Sequence, residues 1–440
     1  MNKSSLRVLL STRGSHGDVV PFIGLAKHLQ SMGHQPVLAT CRSFETLAMQ
    51  NGVPFVAVAP HQDEVCRDLG MTAQEISARS MNPWRGGKFV RDATIKPYFN
   101  RIIDDLWAAS AGADLVVANP LTAAWVAMVA EAQNITWYTM AVNCAPLLLK
   151  SAKEPPVLPA FSMKPVVKVL GPRLYGYLVK RAGKSRGQVA FLDNKARELG
   201  VYDSQLHPLL DRSFSRAGVL ALVPPQFMGS RVPDDLGLPP LQFLGFSRFD
   251  PTAGQPLDGD LVAFLDQGPP PLLFTLGTSV ICQAPGVYAH WSRICKQMGQ
   301  RAVFIGDPST LGPDIPSSQR VLPWVSLPML MPRCLAVINP GGVGVCAQTV
   351  AAGLPQLIVP FAFDQPDNAM RLARMGAALV VKPRQARGLA MVQALRRLCG
   401  DQALHARARA LMGQLNPMCG TLMAAHILDE RHALPMVNVA

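Results

Sequence analysis

Short unbroken apolar runs alternate along the chain with stretches whose apolar residues recur every three to four positions. The runs Arg7–Thr12, Gln35–Thr40, Val53–Val58, Asp114–Asn119 and Ile135–Val142 have strand length, and helical patterns over Pro21–Gln30, Phe44–Gln50 and Leu121–Gln133 fall between them. In the first of these helices Phe22, Leu25, Ala26 and Leu29 stand at i, i+3, i+4 and i+7, one buried stripe, and Gly33 follows as a stop signal. Regular β-α alternation of this kind predicts a parallel sheet covered on both faces.

The alternation restarts after the Pro/Gly/Asp-rich stretch Gly245–Asp260, which reads as an interdomain linker. Beyond it lie the strand-like runs Pro271–Leu276, Arg301–Gly306, Arg320–Val325, Leu335–Asn339, Pro355–Pro360 and Ala378–Lys382. Helical patterns cover Val287–Met298, the residues after Gly342, Asn368–Met375 and two basic segments ending near Leu415. The expected organisation is an α/β chain of two doubly wound units: an N-terminal domain over 1–244, the linker 245–260, a C-terminal domain over 261–415 and a tail over 416–440. A cleft between two such units is the place to look for a ligand. The segment Val157–Arg186, with seven Lys and Arg residues among apolar ones, breaks the pattern and reads as an insertion, either a solvated basic surface or a peripheral membrane contact.

Composition narrows the class. The 440 residues are 49% hydrophobic and 16% charged, and the 35 Gly and 38 Pro are scattered, so a globular chain with two or more cores is expected rather than disorder. A formal charge of +13 favours anionic partners without choosing one, and no basic patch with interleaved aromatics singles out nucleic acid. The nine cysteines show no metal-ligand or disulfide spacing, which fits a reducing cytoplasm and no metal site. The apolar run after Arg7 is too short for a secretory leader, and no segment reaches the roughly 20 apolar residues of a membrane helix.

Four strand-to-helix turns could carry chemistry. Ser11–Pro21 follows the first strand and holds Arg13, Ser15, His16 and Asp18, the aspartate being either a helix N-cap or a base. Thr275–Ser279 and Pro340–Gly342 each put small residues where backbone N–H groups and a helix dipole can meet an anion, and two such turns suit a diphosphate. Asp364 and Gln365 between a strand and a helix suit either a cap or sugar hydroxyls.

In this order the pieces resemble the GT-B glycosyltransferases of family 1. Gly17-Asp18-Val19-Val20-Pro21 looks like the "GDVxP" of members acting on glycopeptide aglycones, sterols and lipids. The series Trp324-Val325, Pro340-Gly341-Gly342, Ala352-Gly353-Leu354-Pro355, Asp364-Gln365 and Asn368-Ala369 looks like their donor-binding signature, and the longer runs are most similar to the rhamnosyltransferases of rhamnolipid synthesis. The resemblance implies two Rossmann-like domains facing across a cleft and an inverting, metal-independent hexosyl transfer, rhamnose favoured, from a dTDP- or UDP-sugar co-substrate to a hydrophobic acceptor. No other cofactor is implied. The expected location is the cytoplasm, with peripheral contact at the inner face of the membrane. It further implies Asp18 as base, aided by His16. Arg13, Ser15, Thr278, Ser279 and the N–H groups of Gly341, Gly342 and Val343 would meet the diphosphate, Trp324 and Val325 the nucleobase, and Asp364 with Gln365 the sugar. The family's "H-x-G-G" places histidine where this chain has Asn339, so Asn339 is expected at the diphosphate with one neutral donor in place of a cation. Two readings follow: an active enzyme in which other donors compensate, or a silent nucleotide- or lipid-binding partner of another enzyme.

Overall fold

The structure, a computed structural model, describes residues 5–432 apart from 83, 149–150, 152–153, 155, 158–173, 175–188, 210, 230–231, 253, 281–285, 312–314 and 416–418, and without the side chains of Thr278 and Ser279. Most of the segment Val157–Arg186 therefore lies outside the described residues.

Two parallel sheets form. The first contains β1 (Arg7–Ser11), β2 (Gln35–Thr40), β3 (Phe55–Ala57), β4 (Leu115–Ala118), β5 (Thr136–Ala141), β6 (Val219–Ala221) and β7 (Leu241–Phe243), in the order β3-β2-β1-β4-β5-β6-β7. The second contains β8 (Leu272–Thr275), β9 (Ala302–Ile305), β10 (Gln319–Leu322), β11 (Ala336–Asn339), β12 (Gln356–Ile358) and β13 (Ala378–Val380), in the order β10-β9-β8-β11-β12-β13. Every pairing is parallel, so the strands read as continuous apolar runs: both faces of each sheet are covered. In each sheet the winding direction reverses beside the first strand, between β1 and β4 and between β8 and β11. The loops leaving those strands open a crevice at their carboxyl ends.

The first helix, α1, runs over His16–Ser31 and so begins five residues before the expected start at Pro21. Ser15 occupies the N-cap and Asp18 the third helical position, in a capping box; Pro21 falls inside the helix, where it removes one backbone bond and leaves the rest of the turn intact. Phe22, Leu25, Ala26 and Leu29 are all fully buried, as the stripe predicts. Leu25→Ala would cost about 2–5 kcal/mol by the usual cavity argument.

The expected tail over 416–440 contains a helix, Gly420–His432, that packs against α1 of the N-terminal domain. His34 fixes it there: its Nδ1 accepts from the Leu6 N–H and its Nε2 lies 3.3 Å from Asp429. Nor is Gly245–Asp260 a loose tether. Phe249 packs so tightly on α1 that a Cβ at Gly24 would come within 2.6 Å of it, while Asp250 accepts a 2.5 Å hydrogen bond from Ser326 Oγ in the C-terminal domain. Among the described residues no helix is long and apolar enough to cross a membrane.

Candidate active site

One continuous cleft of about 1960 Å³ joins the two crevices, and the turns after β1, β4, β8 and β11 all reach it. On the N-terminal side Asp18 is the focal group. Ser15 N–H and Ser15 Oγ donate to its Oδ2 at 2.8 and 3.1 Å. Gly14, at φ +137°, makes room for the carboxylate, since a Cβ there would lie 2.3 Å from Oδ2. Burial raises the Asp18 pKa above the ordinary carboxylate range, and the hydrogen bonds from Ser15, with the nearby Asn119 amide, offset part of that rise. A carboxylate raised by desolvation but still open to the cleft is a stronger base than a solvated one.

Asn119 was not among the candidates read from the sequence. It caps the helix α2 (Pro120–Ala132) by accepting from Leu121 N–H with Oδ1 at 2.9 Å, and its own N–H bonds Ser11 O beside β1. Its amide NH₂ is buried without a hydrogen-bond partner of its own and lies near enough to Asp18 to favour the ionised carboxylate. The signal in the sequence was Asn-Pro after an apolar run, a capping signature that says nothing of the second partner.

His16 lines the cleft with its ring 5.1 Å from Phe44 and 5.8 Å from Trp324, and burial lowers its pKa, which favours the neutral imidazole. Arg13 also lines the cleft, but its guanidinium is committed to its own domain, donating to Ala59 O at 2.9 Å and Pro60 O at 3.2 Å. Trp324, half exposed at 50%, and Val325 lie on the opposite wall. Thr275, Leu276 and Gly277 reach the cleft after β8; Thr278 and Ser279 belong by backbone to the short helix there.

The turn after β11 departs from expectation. Asn339 is fully buried and faces the interior of its domain rather than the cleft. Its Nδ2 donates to Gln356 Oε1 on β12 at 3.0 Å, and its Oδ1 accepts from Gly341 N–H at 2.7 Å. Asn339 is thus a brace for the turn, and the Gly341 N–H assigned to the diphosphate is already spent. Gly341 itself has φ +93°, and a Cβ there would stand 2.9 Å from Gln365 O and Ile358 Cγ2, so only glycine fits. What faces the cleft is Pro340, Gly342 and the start of the helix α3 (Val343–Ala351). Gly342 is the N-cap, and the first-turn N–H groups of Val343, Gly344 and Val345 have no acceptor within the helix, which leaves them and the dipole for an anion.

Asp364 stands at the N-cap position of the helix α4 (Gln365–Arg374) but makes no capping bond with its side chain. Its Oδ2 instead accepts from Asn368 Nδ2 at 2.7 Å, and the same amide holds Gly341 O at 2.9 Å. Burial, and then the negative charge of Asp18 across the cleft, push the Asp364 pKa up to about 7. Gln365 has a structural task that sequence reading did not anticipate: its Oε1 accepts from Phe361 N–H and Ala362 N–H at 2.8 and 2.9 Å, so only its NH₂ remains for a sugar.

With this geometry in view, the likeness to known proteins is specific. Residues 8–139 match the glycosyltransferase family 28 N-terminal domain, and residues 307–418 match the erythromycin biosynthesis protein CIII-like C-terminal domain. The chain is 26% identical, over 97% of its own length and 97% of the relative's, to the O-mycaminosyltylonolide 6-deoxyallosyltransferase of Streptomyces fradiae. It is 25% identical to the vancomycin aglycone glucosyltransferase of Amycolatopsis orientalis, covering 96% of this chain and 97% of that one. Among solved structures, the calicheamicin glycosyltransferase CalG4 superposes over the full length of both chains with a TM-score of 0.69 at 20% identity. The spinosyn rhamnosyltransferase SpnG, complexed with thymidine diphosphate, superposes over 96% of this chain and 100% of its own with a TM-score of 0.64 at 15% identity. The chain therefore belongs to the GT-B glycosyltransferases, with a family 28 N-terminal domain and an EryCIII-like C-terminal domain.

Proposed function

We propose that the protein transfers a hexose or 6-deoxyhexose from a dTDP- or UDP-sugar to a hydroxyl group of a hydrophobic small molecule, with inversion at the anomeric carbon and without a metal ion. The observation that carries this reading is the single cleft in which Asp18 faces the anion-ready start of α3 and Asp364. The acceptor oxygen attacks the anomeric carbon as the bond from that carbon to the diphosphate oxygen breaks. Asp18 takes the acceptor's proton, and the departing diphosphate is met by the N–H groups of Gly342, Val343 and Gly344. Asp364 and the Gln365 NH₂ receive sugar hydroxyls, and the exposed face of Trp324 gives the nucleobase a stacking surface.

Thymidine donors gain support from the thymidine diphosphate held by SpnG, and deoxy sugars from the rhamnosyl and 6-deoxyallosyl transfers for which that protein and the tylonolide enzyme are named. Rhamnose is our preferred sugar on the motif resemblance. A lipid-like or polycyclic acceptor fits the apolar side chains of the N-terminal wall, among them Ile76, Met81, Val90, Trp125 and Phe191. The silent-partner reading rested on Asn339, and Asn339 does not face the cleft, so that motive falls away.

The test is turnover with dTDP- and UDP-linked rhamnose and glucose against a panel of aliphatic, phenolic and polycyclic alcohols. Product with an inverted anomeric centre, formed in the presence of chelator, is expected. Absence of product from every pair, in a protein shown to bind the nucleotide, would refute the proposal.

A further inference from the structure

Phe363 stands at a backbone position that disfavours a side chain, with φ in the left-handed region. Gln365 N–H bonds back to Ala362 O at 3.2 Å, closing a four-residue turn whose central residues are Phe363 and Asp364. Phe363 has φ +55° and Asp364 has φ −78°, a positive value followed by an ordinary one, which is the signature of a type II′ turn. The first central position of that turn normally takes glycine, because a side chain there is strained by about 1–3 kcal/mol. Among the described residues the one other non-glycine at positive φ is Asn134, a residue type that tolerates it.

Strain of this kind persists only where something offsets it. Burial does not, because Phe363 is 52% exposed, while the neighbouring Ala362 and Gln365 are buried. The turn is held from beneath by the two backbone N–H bonds to Gln365 Oε1, so its shape does not depend on the Phe363 ring. The ring lies on the cleft wall, one residue from Asp364, whose carboxylate is near enough to Asp18 for their charges to interact. That is the junction where the acceptor hydroxyl must come to give up its proton.

We infer that Phe363 is a specificity-determining residue: its ring is the apolar wall that holds the carbon skeleton of a hydrophobic acceptor over Asp18. The ring offers no hydrogen bond to hydroxyls, so its contribution is apolar contact with the part of the acceptor flanking the reacting oxygen. This inference rests on the acceptor side of the proposed function.

Phe363→Gly separates the ring from the turn, since glycine adopts the backbone without strain. Two apolar alcohols serve as probes, 1-decanol and estradiol, titrated by calorimetry against the wild type, Phe363→Gly and Phe363→Tyr, with dTDP and UDP binding and Tm measured in parallel. The expected result is probe binding by the wild type, about tenfold weaker binding by Phe363→Gly, recovery in Phe363→Tyr, unchanged nucleotide affinity, and a Tm of Phe363→Gly no lower than that of the wild type. Equal probe binding by Phe363→Gly and the wild type would overturn the inference, as would a joint fall in Tm and nucleotide affinity, which marks a structural role. If the wild type binds neither probe, the apolar wall is refuted as well, whereas glycosyl transfer stands or falls separately on turnover with other alcohols.

Discussion

The two strand-to-helix turns at the two switch points, after β1 and after β11, solve opposite halves of one problem. After β1 the chemistry sits on a side chain: Asp18 reaches into the cleft while backbone and hydroxyl groups of Ser15 hold it from behind. After β11 the chemistry sits on the backbone: N–H groups face the cleft, and the side chains of Asn339 and Asn368 hold the turn from within. A side-chain change should therefore alter reactivity in the first turn and stability in the second. Asp364 is the exception, a side chain on the second domain that faces the cleft with a strongly raised pKa.

The strongest test of the contrast is Asp18→Asn, which keeps an oxygen for the capping bonds and removes the base. Turnover should fall by about 10²–10⁴-fold, while dTDP affinity and the thermal midpoint stay near the wild-type values. A comparable loss of nucleotide binding would mean that the first turn is not reserved for chemistry.

The converse is Asn339→His. The substitution takes a fully buried amide out of a closed hydrogen-bond set and should cost about 1–3 kcal/mol in urea denaturation, without a gain in nucleotide affinity. Pro340, which does line the cleft, is where an imidazole would be felt: Pro340→His should tighten dTDP binding, an effect that added salt weakens.

Asp364 sharpens the exception. Its folded pKa is raised from 3.8 to about 7, so its contribution to stability is fully present below about pH 4 and is lost as the pH climbs through 7. Denaturation between pH 4 and 8 should show that decline in the wild type and a flatter profile in Asp364→Asn. The smallest effect is expected at Asn119. Its amide favours ionised Asp18, so Asn119→Ala should move the acid limb of the pH–rate profile to higher pH with a limited loss of maximal rate.

Much of the architecture could be read directly because parallel strands buried on both faces are written as unbroken apolar runs, as in Leu115–Ala118 and Ala336–Ile338. The two strands absent from that reading, β6 and β7, have three residues each and, among the described residues, no α-helix between them, so no β-α repeat marks them as β3, β12 and β13 are marked. The start of α1 was hidden because Pro21 is a stronger sequence signal than the Ser15–Asp18 capping pair. The site was legible as positions but not as directions. Whether Asn339 points into the cleft or the core depends on strand register and on Gln356, a partner 17 residues away, and neither can be read from the turn itself. Gln365 and Asn119 were obscured for the same reason, each having one face on the cleft and one on the backbone.

The return of the chain to its first domain has a mechanical consequence. The segment that leaves the first domain and the one that returns to it touch: Gly420 N–H bonds Phe246 O at 2.9 Å, and a Cβ on Gly420 would lie 2.1 Å from Gly245 O. Two adjacent crossings define a line where one crossing would define only a point. Away from the crossings the domains are joined again by one buried apolar cluster, in which Ala141, Val219 and Phe227 meet Val343, Ala347 and Leu372, and by Arg371, which donates to Phe227 O at 2.8 Å. A joint of that breadth fixes which residues of the two domains face each other across the cleft, as a mortise does, and so keeps Asp18 opposite the start of α3.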